Sequence, residues 1–421
     1  MTNFLRKIAP QFLINWYHLS LSFLGAFFYR FPSRKLIVIG VTGTNGKSTV
    51  VDLTSKILEE AGEKVCSLSS IRFKIGNKEF VNDLKMTMPG RFRIQKFLRK
   101  AVDSGCHYAI LEVTSEGIKQ HRHKFINFSV AAFTNLTPEH IETHGSFEKY
   151  KEAKGKLFEA TKKTHILNLD DENTEYFWRF PADFKIGYGI NLEQNFKVSE
   201  TIKAEKAIVS QEGIEFKVSN QNFKINLLGF FNIYNCLTAI AIARSHNISL
   251  EICKKALEKV SGVPGRMEEI ISVPFKVFVD YAFTPNALEK VYQTLKNNFK
   301  PKRLICVLGA AGGGRDKWKR PVLGKLAADN CDEIIVTNED PYDEDPLEII
   351  NQVAQGTAGK AKKIPDRREA IKNALKTASG GDIVIITGKG CETSIAEKGK
   401  KIPWDDREVA REEFQRLTNN R

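Results

Sequence analysis

Residues 40–49 read GVTGTNGKST, and no other stretch of the 421-residue chain limits its fold so strongly. The continuous apolar run LIVIGV (36–41) precedes it, and a helical pattern from Val50 to Glu60 follows it. Strand, glycine-rich turn and helix in that order make a phosphate loop. Backbone N–H groups of such a turn form an anion nest, Lys47 adds a point charge for β- and γ-phosphates, and the Ser48 hydroxyl is placed for Mg²⁺. The strict spacing would put glycine where this chain has Val41, so the loop is a variant of the common form.

Further strands follow the same plan. The run Tyr108 to Val113 includes the carboxylate Glu112, and Val130 to Phe133 leads into Thr134-Asn135. Strands alternating with helical stretches imply a parallel sheet with crossover helices, whose function collects at the carboxyl ends of the strands. Residues 197–227 alternate as antiparallel hairpins do, and helical patterns run over 232–244 and 250–260. After SGVPGR (261–266) the alternation restarts with FKVFVD, RLICVLG, EIIVT and DIVIITG. The expected fold is therefore α/β: a central P-loop parallel-sheet ATPase domain over 36–261, then a smaller Rossmann-like α/β C-terminal domain over 262–421. Residues 1–35 form an apolar N-terminal segment, and the basic stretch 398–401 reads as a solvated loop.

Composition narrows the setting. With 42% hydrophobic and 27% charged residues the chain is an ordinary globular protein. Its net charge of +14 favours anionic partners, among them nucleotides, nucleic acid and membrane surfaces. Seven cysteines, an odd number without a C-x-x-C pair, argue against a disulfide framework and against a zinc site, and so for a reducing cytoplasm. The segment FLINWYHLSLSFLGAFFYRF (12–31) has basic flanks and nearly the length of a bilayer span, but Asn15 and His18 would be costly there. No small-residue cleavage site follows it. A helix packed on the protein is the first expectation, a peripheral membrane contact through residues 12–31 the second, and a true span the last.

The loop form TGTNGKS resembles that of the Mur ligase family, and successive blocks extend the resemblance in order. EVTSEGIKQHR (112–122) is similar to a segment of the MurE type, which adds the third peptide residue to the peptidoglycan precursor. TNLTPEHIETHG (134–145), YKEAKGKLF (150–158), GFFNIYN (229–235), GVPGR (262–266), DYAFTP (280–285), GRDKWKRP (314–321) and GKGCET (388–393) follow. The MurE type places a uridine-binding domain before its loop. Here residues 1–39 precede Gly40, so that domain is expected to be lacking.

The resemblance implies ATP-dependent amide-bond formation through an acyl phosphate, with ATP and two Mg²⁺ ions, at the cytoplasm or the inner face of the membrane, by a monomer. Gly43, Thr44, Asn45, Gly46, Lys47, Ser48, Thr49, Asn232, Arg266 and Asp280 would bind ATP. Asn235 shares a segment with Asn232, and either could instead cap its helix. Ser48, Glu112, His140 and Lys154 would hold the metals, Lys154 as a carbamate. Together with Lys47, the last three would be catalytic. Thr87, Thr114, Gln120 and Arg122 would hold the muramoyl peptide; Arg315, Gly388 and Glu392 would hold the incoming amino acid.

Two departures bear on specificity. Where diaminopimelate-adding members have Asp-Asn-Pro-Arg, this chain has Glu339-Asp340-Pro341-Tyr342, so an arginine that would grip the distal carboxylate is a phenol. The change favours a diamine without that carboxylate, with Glu339 and Asp340 able to bind an ammonium. Phe283 and Cys391 each replace a family histidine. The alternatives are a Mur-like ligase acting on a lipid-linked muramoyl peptide, or on a polyglutamate or cyanophycin-like substrate. A nucleic-acid-binding P-loop switch would fit the charge but not the acceptor blocks, and no nucleic-acid motif is present.

Overall fold

The computed structural model describes residues 10–82, 84, 86–192, 196–314 and 316–419. Arg315 lies outside them. An eleven-stranded sheet comprises β1 (Ile37–Thr42), β2 (Val65–Leu68), β3 (Arg72–Ile75), β4 (Lys78–Val81), β5 (Tyr108–Glu112), β6 (Phe128–Phe133), β7 (Thr164–Asn168), β8 (Phe184–Gly189), β9 (Glu200–Val209), β10 (Ile214–Val218) and β11 (Gln221–Ile225). Its order is 11-10-9-8-7-6-1-5-2-3-4. The strand carrying the phosphate loop thus lies between parallel β5 and β6, in register Val41↔Glu112 and Thr42↔Phe133. That register sets the ends of β5 and β6 beside the loop, where open parallel sheets bind their ligands. The outer strands β9–β11 pair antiparallel, and so do β2–β4.

A six-stranded sheet follows, formed by β12 (Glu268–Ile271), β13 (Lys276–Asp280), β14 (Leu304–Leu308), β15 (Glu333–Val336), β16 (Ala361–Lys363) and β17 (Ile383–Thr387), in the order 12-13-17-14-15-16. Strands β13 to β17 are parallel, and β13, β14, β15 and β17 are apolar at their centres; β12 is an antiparallel edge. Of residues 398–401, expected in a solvated loop, 398–399 form an exposed turn, whereas 400–401 belong to the exposed strand β19 (Lys400–Pro403), which pairs with largely buried β18 (Ser394–Glu397). The backbone partners of β18 outweigh the charge of the lysines, whose side chains still reach solvent.

The helices that position the site are α1 (Gln11–Phe28), α2 (Lys47–Glu60), α3 (Arg91–Asp103), α4 (Phe147–Ala160), α5 (Phe231–Arg244), α6 (Pro285–Phe299), α7 (Lys319–Asn330), α8 (Arg367–Thr377) and α9 (Asp406–Asn419). Helices α2 and α5 cover one face of the large sheet, with Val50, Leu53, Ile57, Ile233, Leu237 and Ile240 in its core. Helices α3 and α4 cover the other through Ile94, Leu98, Tyr150 and Leu157. Burying such side chains contributes about 1.5–3 kcal/mol each, and it fixes the helices that carry the polar groups. Helices α6 and α7 cover one face of the small sheet, α8 and α9 the other. Helix α1 packs on α3. Among the described residues no helix is long and apolar enough to cross a membrane.

Candidate active site

Helix α2 starts at Lys47, three residues before the start expected at Val50, because Gly46 takes a left-handed φ of 85° and turns the chain directly into the first helical residue. The first N–H groups of a helix have no helical acceptor, and here they end a loop held from below. Thr44 N–H donates to Asn135 O (2.8 Å), Asn45 N–H to Asn135 Oδ1 (2.9 Å), and Thr134 Oγ1 donates to Asn45 O (2.8 Å). Gly43, at φ 146°, leaves no room for a side chain: a Cβ there would stand 1.9 Å from Thr134 Oγ1. One at Gly46 would stand 2.3 Å from Asn235 Oδ1, so Asn235 caps no helix end and instead presses on the loop while donating to Asn232 Oδ1 (2.7 Å).

Three groups meet at the head of α2. Ser48 Oγ donates to Glu112 Oε2 (2.8 Å), Ser70 N–H donates to the same oxygen (2.9 Å), and Lys47 Nζ lies 3.8 Å from Glu112 Oε1. Lys47 Nζ also donates to Thr44 O (2.8 Å). Burial pushes the Lys47 ammonium below its usual range while Glu112 opposes the shift. The Arg266 guanidinium, 4.3 Å over the Tyr281 ring, reaches Ser48 Oγ at 3.4 Å and Ser70 Oγ at 3.5 Å. Asp280 accepts from Met267 N–H (2.7 Å) and Ala282 N–H (2.6 Å), and thereby shapes the crossing into the small sheet beside Arg266.

Lys154 is buried on α4. Its Nζ donates to Gly43 O (2.7 Å) and lies 4.5 Å from the Tyr150 ring centre. Among the described residues no carboxylate forms an ion pair with it. Burial, followed by the nearby Lys47 charge, holds the Lys154 amine well below the usual lysine range. Next to it, burial first and the Lys154 charge second lower His140 to about 3, so the imidazole is neutral near pH 7. A neutral imidazole, and an amine that burial makes easier to deprotonate, are both suited to act as donors to a cation or an electrophile.

Glu139, His140 and Asp316 approach so that one ligand atom from each lies within 4.8 Å of the others. Asp316 accepts from His140 N–H (2.8 Å), and Glu139 Oε1 accepts from Lys319 Nζ (2.8 Å), while Glu139 Oε2 is buried without a partner. Glu139 and Asp316 were missed as site residues by the sequence reasoning, although each sits inside a block it quoted. The bond from His140 N–H to Asp316 joins positions 176 residues apart, which no local pattern reveals.

One cavity of about 830 Å³ is lined by every candidate named above except Gly43, which lies beneath its floor, and Arg315, outside the described residues. In the large-sheet part of its lining Thr114 caps a short helix by accepting from Gly117 N–H (3.1 Å), and Arg122 donates to Gln120 Oε1 (2.8 Å) and to Met88 O; Thr87 lines the same cavity. In the small-sheet part of the lining Asp340 accepts from Lys389 Nζ (2.9 Å) and Ala396 N–H (2.7 Å), and Lys389 donates to Glu392 Oε2 (2.6 Å). Tyr342 folds its ring against Gly313, and Gly388, at φ 105°, lets Glu339 approach its backbone.

Burial raises Glu339 to about 6, and its Oε2 has no partner. A carboxyl raised on folding adds stability that is full below its ordinary value and is lost as pH rises through about 6; a rise of this size corresponds to about 2 kcal/mol. Glu339→Gln is therefore expected to be about 2 kcal/mol more stable than the parent at pH 8 and nearly equal to it at pH 4, as read by denaturant titration at the two pH values.

A family profile, the Mur ligase middle domain, matches residues 41–243, and that of the Mur ligase, glutamate ligase domain matches 265–390. A UDP-N-acetylmuramyl-tripeptide synthetase of Roseiflexus sp. (strain RS-1) is 35% identical, over 96% of this chain and 84% of the relative. A UDP-N-acetylmuramoyl-L-alanyl-D-glutamate–2,6-diaminopimelate ligase of Syntrophomonas wolfei is 37% identical, over 93% of this chain and 81% of the relative. Among solved structures, a diaminopimelate ligase of the same description aligns at TM-score 0.60 and 30% identity, over 91% of this chain and 79% of its own. A folylpolyglutamate synthase of Mycobacterium tuberculosis, solved with ADP and AMPPCP, aligns at TM-score 0.71 over 88% of this chain and 92% of its own; at 17% identity it speaks for the fold alone.

Proposed function

Because the chain belongs to the Mur ligase family, we propose that it is the ATP-dependent amide ligase that adds the third peptide residue, a diamino acid, to a muramoyl dipeptide precursor. The observation that carries this reading is one shared cavity. It gathers the phosphate loop, Gln120 and Arg122 from the large-sheet part of the chain and Glu339, Gly388 and Glu392 from the small-sheet part. The relatives named as tripeptide synthetase and diaminopimelate ligase support a UDP-linked acceptor over a lipid-linked or polyglutamate one.

The chemistry needs no side-chain nucleophile. The acceptor carboxylate attacks the γ-phosphate of ATP, the bond to ADP breaks, and an acyl phosphate forms. The neutral amine of the incoming amino acid then adds to the acyl carbon, and phosphate leaves as the amide forms. Arg122 is suited to bind a carboxylate of the acceptor, and Lys47 with the head of α2 holds the phosphates in line. Catalysis of this kind is mostly positioning and electrostatics. Arg266 and Asp280 position the nucleotide from the small-sheet side, and Asn232 lines the same region.

The donors fit magnesium: Ser48 Oγ and Glu112 are hydroxyl and carboxylate oxygens beside the loop, and Mg²⁺ prefers such ligands with phosphate. When bound, two Mg²⁺ ions, one at Ser48 and Glu112 and one at His140 and carbamylated Lys154, would neutralise charge on the transferring phosphoryl group. Lys154 suits carbamylation because its amine loses a proton easily; the neutral nitrogen bonds to the carbon of CO₂ and a proton leaves, giving an anionic oxygen donor where a cation stood. The same reading places a monomer in the cytoplasm or at the inner face of the membrane.

Specificity lies with the small-sheet residues of the cavity. Of the two acids expected to take an ammonium, Asp340 already receives Lys389, whereas Glu339 keeps an oxygen without a partner. Tyr342 offers no cation for a distal carboxylate. With UDP-muramoyl-dipeptide as acceptor, ADP release across an amino-acid panel is expected to favour lysine or ornithine over diaminopimelate by at least about tenfold, roughly 1.4 kcal/mol. Mass analysis of the product identifies the residue added. A strong preference for diaminopimelate would overturn the assignment of Glu339.

A further inference from the structure

Helix α1 turns its large apolar side chains away from the protein. Its inner face, toward α3 and the segment around His121, carries His18, Ser22, Gly25 and Ala26. Ser22 Oγ donates to His121 O (2.8 Å), Arg91 bonds the His18 ring, and a Cβ at Gly25 would stand 3.4 Å from the Arg91 carbonyl. The outer face carries Phe12, Trp16, Phe23 and Phe27, which recur at helical spacing; Trp16 is 68% and Phe27 65% exposed. Phe23 also meets exposed Phe125 at 5.4 Å, extending the stripe onto the neighbouring segment. Large apolar residues outside and small or polar ones inside is the reverse of the usual soluble helix, and a stripe of this kind marks an interaction surface.

Charge selects what covers it. No acidic residue occurs before Asp52, whereas Arg30, Arg34 and Lys35 follow the helix and are exposed. Neighbouring α3 adds exposed Arg93, Lys96 and Lys100, and Lys124 stands next to Phe125. A second copy pairing through the same face would set these cations against their own equivalents. An anionic lipid surface satisfies both features.

We propose that α1 lies flat in the interface of a bilayer containing anionic phospholipid, its aromatic stripe among the acyl chains and its arginines and lysines on the headgroups. The inner face of α1 rests on the segment bearing Gln120 and Arg122, and Arg91 Nε donates to Gln120 O (3.0 Å). The docked surface therefore adjoins the segment that brings Gln120 and Arg122 to the cavity. Only that last placement rests on the ligase reading; lipid binding itself does not.

Co-sedimentation of the full chain with vesicles of phosphatidylcholine, with and without phosphatidylglycerol, tests the proposal. The expected result is binding that requires phosphatidylglycerol, weakens as salt rises and shifts Trp16 emission to the blue. The double variant Trp16→Asp, Phe27→Asp is expected to bind at least about tenfold more weakly. Arg93→Glu, Lys96→Glu and Lys100→Glu combined are expected to abolish the phosphatidylglycerol preference. Both variants should keep the parent rate of ADP release in solution, which shows that they are folded. No binding by the parent, binding untouched by the aspartates, or a dimer that the aspartates dissociate would overturn the proposal. Lipid binding without any ligase activity would count against the ligase reading alone.

Discussion

Lys154→Met is expected to lower kcat for ADP release at least about 10³-fold, close to 4 kcal/mol of transition-state stabilisation, while leaving the thermal midpoint near that of the parent. The amine is buried, lowered well below the usual lysine range, donates to Gly43 O and stands over the Tyr150 ring, with no carboxylate paired to it among the described residues. A methionine of similar length fills the same apolar space, so packing is little disturbed. What disappears is the only group at that position able to become an anionic oxygen donor. Two further readouts separate this role from a structural one. Exhaustive removal of CO₂ and bicarbonate should reduce the parent's rate reversibly. Lys154→Glu, which keeps a carboxylate at shorter reach, should retain more activity than Lys154→Met. A Met variant with the parent's kcat would show that Lys154 is a structural lysine.

Lys47→Ala is expected to cost about 10³- to 10⁵-fold in kcat, the range seen when a cation is withdrawn from a transferring phosphoryl group. Here the cation has no substitute at the same place. Arg266 reaches Ser48 and Ser70 rather than the place of Lys47, and burial holds the Lys154 amine well below the usual lysine range. The Lys47 side chain also bonds Thr44 O, at 2.8 Å. Its loss removes one tie from a loop that Asn135 and Thr134 still hold, so the variant should fold. Single-turnover ADP release at saturating ATP is the measurement; a loss confined to the KM for ATP would show that Lys47 binds the ground state and the transition state equally.

Much of this site could be read along the chain. GVTGTNGKST specified strand, loop and helix because each step depends on residues adjacent in sequence, and the run ending at Glu112 marked the neighbouring strand. Two kinds of feature could not be read there. Glu139, Asp316 and Lys319 meet only because the small sheet docks on the large one, and pairing across 176 or more residues leaves no periodic trace. The burial that leaves Lys154 without an acid partner likewise depends on Tyr150 and Gly43 together, whereas the sequence shows only a lysine among lysines. Helix α1 is a third case. Its composition announced an apolar segment, but which side faces outward was decided by contacts with α3 and His121, because apolar residues occur all round it.

The central claim is that ATP activates a carboxylate of the acceptor as an acyl phosphate. It is tested most directly with acceptor labelled with ¹⁸O in that carboxylate. After one turnover with ATP and the preferred amino acid, one ¹⁸O atom should be found in the released phosphate and the other in the new amide. Label appearing in AMP, or phosphate released without label, would contradict the account.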